Sequence, residues 1–251
     1  MSAARRRSAA VVGVYGAVVG VAAGVVVILV GQPWLFGVIV AVAVGAVVAL
    51  AMLRAAWPVL LRLTGGAAPH GPHKEILENV LEGLCVNHGI PVPELRVIGS
   101  DAVNALAAAR TPDQATIVVT TGAVDRLDRI ELEGLLAHHL CRIRRGDAAF
   151  ETLAGVLLAW PLGAVGRLRS RLMERALPAG TSLEADFEAV SLTRYPPGLL
   201  STLVTLSGHP ARVPSPTVAA LHMWIHEPDW GFTDPVRHPP LQTRIDALRE
   251  L

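Results

Sequence analysis

Two long apolar runs open the chain, Ala9 to Gly31 and Trp34 to Ala55, nearly free of charge and separated only by Gly31-Gln32-Pro33. Each is roughly twenty residues, which at about 1.5 Å rise per residue crosses the roughly 30 Å hydrocarbon layer of a bilayer. The pattern predicts a two-helix transmembrane hairpin over residues 1–63. A signal peptide would account for the first run alone, but a second span follows at once where a cleavage site and polar start would stand. Arg5, Arg6 and Arg7 precede the first span, and Arg54 and Arg62 flank the exit of the second. Positive charge at both ends predicts cytoplasmic termini, a multi-pass anchor in the plasma (inner) membrane and a cytoplasmic globular part. Gly16, Gly20, Gly24 and Gly45 would let the two helices approach closely.

Beyond a Gly- and Pro-rich linker, residues 64–73, the periodicity changes. Ile76, Leu77, Val80, Leu81, Leu84 and Cys85 recur as one helical face that stops at His88-Gly89. Leu95 to Ile98 and Ala115 to Thr120 are short β-branched runs suited to strands. Asp128 with Glu131 predicts a capping box, opening a helix from Ile130 to Asp147 whose buried stripe is Leu132, Leu135, Leu136, Leu140 and Ile143. The stretch Leu153 to Val165 is apolar but short, contains Pro161, and has arginines on both sides (Arg142, Arg144 and Arg145; Arg167, Arg169 and Arg171). It reads as a surface-lying or shallowly inserted hairpin rather than a third crossing, a buried core helix being the alternative. Residues 74–251 thus form a helix-rich α+β domain with a small sheet.

Composition narrows the functional classes. The 251 residues are 52% hydrophobic with a mean hydropathy of +0.46, more than a soluble domain carries, and the excess lies at the N-terminus. A net charge of +1 offers no electrostatic footprint for nucleic acid. Cys85 and Cys141 make no disulfide framework and suit a reducing compartment.

The candidate chemistry sits on the Ile130 helix, which reads Ala137-His138-His139-Leu140-Cys141-Arg142. Two histidines four apart on a helix can grip one Zn²⁺ while a glutamate after the first activates the bound water, the H-E-x-x-H pattern. Here His138 stands at the first position, His139 at the glutamate, and Arg142 at the second histidine. An arginine has five donors and no lone pair, so it cannot ligate a metal.

The run from Asn104 to Asp147, NALAAARTPDQATIVVTTGAVDRLDRIELEGLLAHHLCRIRRGD, resembles the M48 family of membrane metallopeptidases, the HtpX-like and CAAX-protease-like enzymes. The family's stretch runs from a N-A-F-A-x-G edge strand through V-T-x-G-L to the H-E-x-x-H helix. Its downstream E-x-x-A-D has a counterpart in Ser182-Leu183-Glu184-Ala185-Asp186. Its closing H-P-P-L-x-x-R-I element is intact from His238-Pro239-Pro240-Leu241 to Arg244-Ile245. The likeness covers roughly residues 73–251 and implies a zincin-like fold. It also implies a third zinc ligand at the first residue of E-x-x-A-D, which here is Ser182; Glu184 falls on a variable position. With His138 the one matched ligand, the resemblance points to a non-catalytic pseudoprotease acting in binding or regulation, with no metal cofactor. The alternative is a working zinc metalloendopeptidase of membrane protein quality control. The partners to expect are the membrane and a peptide or membrane protein, not nucleic acid.

Without a metal to tie the motif helix to the Ser182 segment, an ion pair from Arg142 to Asp186, assisted by Glu184 or Ser182, is the expected replacement; an Arg142 pointing to solvent is the alternative. His222 and His226 are four apart, but in a strand they would lie roughly 13 Å apart, too far for one metal. His209 reads as a loop residue and His238 as a cap of the last helix. Trp224 and Trp230 read as core, with a peptide-binding surface as the alternative.

Overall fold

The computed structural model describes residues 3–159, 166–177, 180–213, 217–228 and 239–251. Helices α1 (Ala3–Leu29) and α2 (Trp34–Thr64) form the hairpin around a turn with Gly31 at φ 87. Glycines set their separation. A Cβ added at Gly16 would lie 2.7 Å from the Gly45 carbonyl oxygen, at Gly20 2.2 Å from that of Ala41, and at Gly24 2.6 Å from that of Gly37. Spacing by four keeps these positions on one face, so the helix backbones touch. The opposite faces are bare: Val18, Val21, Val26, Leu29, Leu35, Ile39, Val42 and Val47 are all exposed. An apolar surface of that extent calls for a non-aqueous neighbour, and both helices are long and apolar enough to cross a membrane. The hairpin fits membrane anchoring.

At its base the hairpin changes character. α2 runs through Pro58 to Thr64, and its last turns bury Ala56, Leu60 and Leu61, together with Val12 of α1, against Ile98, Leu106 and Val118 of the sheet. Anchor and domain share this cluster, and α2 itself ends at Thr64, one residue past the expected boundary at 63. The linker is also shorter than 64–73: α3 (Gly71–His88) starts at Gly71, and Ala67 bridges to Val97 on the way. The αL residue Gly89 (φ 62) ends α3 as expected. Ile76 is 41% exposed, however; one residue is about 100° of helix, and the buried face begins at Leu77.

Among the described residues β1 (Glu94–Ile98), β2 (Ala105–Thr111) and β3 (Gln114–Thr120) form one sheet of order β1-β3-β2, with β1 parallel and β2 antiparallel to β3. β2 is buried on both faces: Ala105, Ala107 and Ala109 face one cluster and Leu106 and Ala108 the other. The short α4 (Thr121–Arg126) leads to α5 (Arg129–Arg145), which has the full Asp128–Glu131 capping box and ends at Gly146, φ 86. All five residues of its expected stripe are buried.

α6 (Asp147–Ala154) continues as a π-helical turn, Gly155–Ala159. Leu153, Val156 and Leu157 bury themselves against the hairpin base, and the Tyr15 hydroxyl donates to the Leu157 carbonyl at 2.5 Å. Up to Ala159 the stretch is therefore a packed helix, not a surface-lying hairpin, because it fills the space between β2 and the hairpin; residues 160–165, with Pro161, lie outside the described residues. α7 (Gly166–Ala176), α8 (Thr181–Thr193), α9 (Pro196–Ser207), a 3₁₀ turn (Leu221–Met223) and α10 (Leu241–Arg249) complete the chain.

Gly20→Leu should lower the thermal midpoint of the detergent-solubilised protein, since overpacking costs about 1–3 kcal/mol. Gly13→Leu, with nothing within 4 Å of its added Cβ, should not. Equal melting of the two variants would contradict the glycine-set contact.

Candidate functional site

The site is built where α5 meets α8, α6, α10 and the segment around the 3₁₀ turn. α5 is buried on nearly every side, which carries His138, His139 and Arg142 into the interior with its leucines. His138 and Arg142, four apart, share a helix face.

Asp186, on α8, is fully buried and occupied on both oxygens. Its Oδ1 lies 2.7 Å from Nδ1 of His138, and Arg244 of α10 donates Nε to Oδ2 at 2.6 Å and Nη2 to Oδ1 at 2.7 Å. The Arg244 Nη1 donates to the Ile225 carbonyl at 2.9 Å. Burial alone would raise the Asp186 carboxyl, but Arg244 and then His138 outweigh it and hold it at about 2. Burial lowers His138 to about 4, against the pull of Asp186. At neutral pH an ionised Asp186 therefore accepts from the Nδ1–H of a neutral imidazole, leaving the lone pair on Nε2. That nitrogen has no hydrogen-bond partner among the described residues.

Arg142 looks elsewhere. Its Nη2 pairs with Glu151 of α6, its Nη1 donates to the Met223 carbonyl at 3.0 Å, and it is 1% exposed. Burial pushes the Glu151 carboxyl up to about 7, with Arg142 pulling it down. The expected Arg142–Asp186 pair is thus not formed. The fork of Arg244 and the ring of His138 already occupy the carboxylate, and Arg142 pairs with Glu151 instead. Nor does Arg142 point to solvent. Glu184 is exposed and pairs with Arg145, and Ser182 is buried.

His222 and His226 are not strand residues. His222 lies in the 3₁₀ turn, and an isolated bridge of Trp224 to Leu106 falls between it and His226. His222 Nε2 lies 3.0 Å from the Glu151 carbonyl, while the His226 carbonyl and amide meet the Asn104 side chain. Trp224 is core, at 2% exposure; Trp230 and His238 lie outside the described residues. His209 sits just past α9 with Nδ1 2.8 Å from the Thr205 carbonyl. Cys85 and Cys141 are free and buried.

Chain comparison places these residues in a family. The family model for peptidase family M48 matches residues 73–251. The chain belongs to family M48. Among its M48 relatives, a protein named protease HtpX homolog from Dictyoglomus thermophilum is 29% identical over 224 residues, 76% of this chain and 74% of that one. The HtpX homolog of Salinibacter ruber is 28% identical over 77% and 80% of the two chains. No solved structure matches.

An M48 fold implies zinc, and the donors here can be weighed against it. His138 Nε2 is a suitable lone pair, held in orientation by Asp186 as a metal-binding imidazole would be. His139, about 100° round the helix, makes an edge contact with it, ring centroids 5.2 Å apart. Burial, followed by the neighbouring His138, Arg142 and Arg244, pushes its pKa well down. The next position on the His138 face is a guanidinium, and among the described residues no three His, Cys, Asp or Glu side chains converge on a metal position. This donor set does not fit a three-ligand zinc site.

Reading the sequence missed Glu151 and the role of Arg244. Glu151 is the sole acid within the apolar run from Ala148 to Trp160, a signal that some buried cation awaits it. Asp186→Ala should destabilise by about 3–5 kcal/mol by stranding buried Arg244, and Glu151→Ala should do the same to Arg142. Glu184→Ala, at a partly exposed pair, should cost below about 1 kcal/mol. Chemical denaturation would check the ordering; a Glu184 effect as large as that of Glu151 would contradict it.

Proposed function

We propose that this M48 protein is a membrane-anchored pseudoprotease that works by binding or regulating a peptide or membrane protein at the cytoplasmic face, without zinc-dependent cleavage. The observation that carries the reading is Arg142: a guanidinium that stays charged at all accessible pH is locked by Glu151 and the Met223 carbonyl on the helix face where the family pattern has its second histidine. A buried cation there repels Zn²⁺. His139, at the general-base position, brings no negative charge to deprotonate a bound water. Losing a general base costs about 10²–10⁴ in rate, and losing two ligands removes the Lewis acid as well.

The test is zinc content and proteolysis of the full chain purified in detergent without a histidine tag. The expected result is substoichiometric zinc and no cleavage of casein. Chelator-sensitive cleavage by the unmodified protein would establish the working metallopeptidase instead. The triple variant His139→Glu, Arg142→His, Ser182→Glu should gain zinc affinity if Glu151 is also made neutral, since that carboxylate loses its cation.

The arginines at both ends of the hairpin support cytoplasmic termini and two crossings. Single cysteines at Gly65 and after Leu251 should resist a membrane-impermeant thiol reagent in intact cells and react after permeabilisation. Labelling of either in intact cells would reverse the orientation.

A further inference from the structure

We infer that the outward face of α7 is a lipid-headgroup site, on which Arg171 and Arg175 hold anionic phospholipid while Leu168 dips into the interface. The inference rests on the hairpin being a membrane anchor and adds a second, charge-selective contact to it.

Depth comes first. The uncharged run of α1 begins after Arg7, and that of α2 ends at Arg54. Tyr15 lies eight residues beyond Arg7, about 12 Å further along the helix, and its hydroxyl bonds the Leu157 carbonyl. Ala49 and Met52, also inside the apolar run, pack on the cluster that holds Leu153, Val156 and Leu157. The π turn at Gly155–Ala159 therefore lies beside the first turns of the hairpin's apolar runs, and α7 packs back on the end of α6 and that turn through Met173 against Ala154 and Ala159. Placement at the boundary thus follows from contacts with the hairpin.

The chemistry of α7 suits that place. Arg169 and Met173, four apart, face inward at 4% and 3% exposure. Leu168, Arg171 and Arg175 recur at three and four residues on the outer face, all exposed, with Leu172 half-buried beside them. Neither Arg171 nor Arg175 pairs with any described residue, whereas Arg169 and Glu174 of the same helix are both engaged. An exposed leucine flanked by unpaired arginines is the arrangement of an interfacial helix, whose long cationic side chains reach the phosphates while the aliphatic one enters the acyl boundary. Arg5, Arg6, Arg7, Arg54 and Arg62 are exposed at the base of the same hairpin, adding to a positive rim that favours anionic over zwitterionic lipid.

The full-length protein in phosphatidylcholine nanodiscs, with and without phosphatidylglycerol, tests this. An environment-sensitive fluorophore is attached at Leu168→Cys, and separately at Val21→Cys on the exposed face of α1 and Val86→Cys on α3. The native cysteines are buried, and burial raises their thiols to about 11 for Cys85 and about 12 for Cys141, so labelling is selective. At position 168 emission should shift to shorter wavelength and resist aqueous iodide only when phosphatidylglycerol is present, while position 86 stays wet. Arg171→Gln with Arg175→Gln should lower the docked-to-free ratio roughly 30-fold, each arginine near an anionic surface contributing about fivefold; the double lysine variant should keep it. If position 21 is in lipid but 168 is as accessible as 86 in both lipids, the α7 proposal is wrong and the anchor stands. Protection at 168 indifferent to lipid charge also overturns it. If position 21 itself is wet, the anchor reading fails and this one with it.

Discussion

A buried charge must be paired, and in this protein that requirement ties the interior together. Arg142 and Arg244 are among the largest fully buried side chains, and each is a fixed cation whose desolvation would cost several kcal/mol if left alone. Arg244 draws α10 onto Asp186 of α8, and Asp186 in turn fixes His138 on α5. Arg142 draws α5 onto Glu151 of α6. Both guanidinia also take a backbone carbonyl from the segment between α9 and α10, at Met223 and Ile225. Helices distant in sequence are therefore locked together by buried ion pairs.

The second organising contact is steric. Glycine at every fourth position lets α1 and α2 touch backbone to backbone, and the lower turns of both then carry apolar side chains into the same cluster as β2, β3 and the end of α6. Membrane anchor and M48 domain are in this way continuous: the path from Tyr15 through Leu157 to α6 leads, within one helix, to Glu151 and hence to Arg142. The polar centre and the contact with the hairpin lie at opposite ends of α6 and its π turn.

Much of this was legible in the chain. Periodicity and uninterrupted hydropathy defined the hairpin, because a bilayer imposes a length and an absence of charge that survive as sequence pattern. Capping chemistry is equally local, so Asp128, Glu131 and Gly89 marked helix ends that the fold keeps. The order of motifs from Asn104 to Ile245 declared the family, and residue identity alone placed at position 142 a guanidinium, which has no lone pair to give a metal.

Partner choice was not legible. From sequence, Asp186 was as good a mate for Arg142 as any acid; the fold instead delivers Arg244, 58 residues away along the chain, to saturate it and leaves Arg142 to Glu151. Ion pairs between separate helices depend on crossing geometry and side-chain reach, neither of which leaves a periodic trace. The same holds for the run after Leu153, whose composition suits a membrane surface or a core alike. Composition fixed that it must leave water; only the gap between β2 and the hairpin decided where it went.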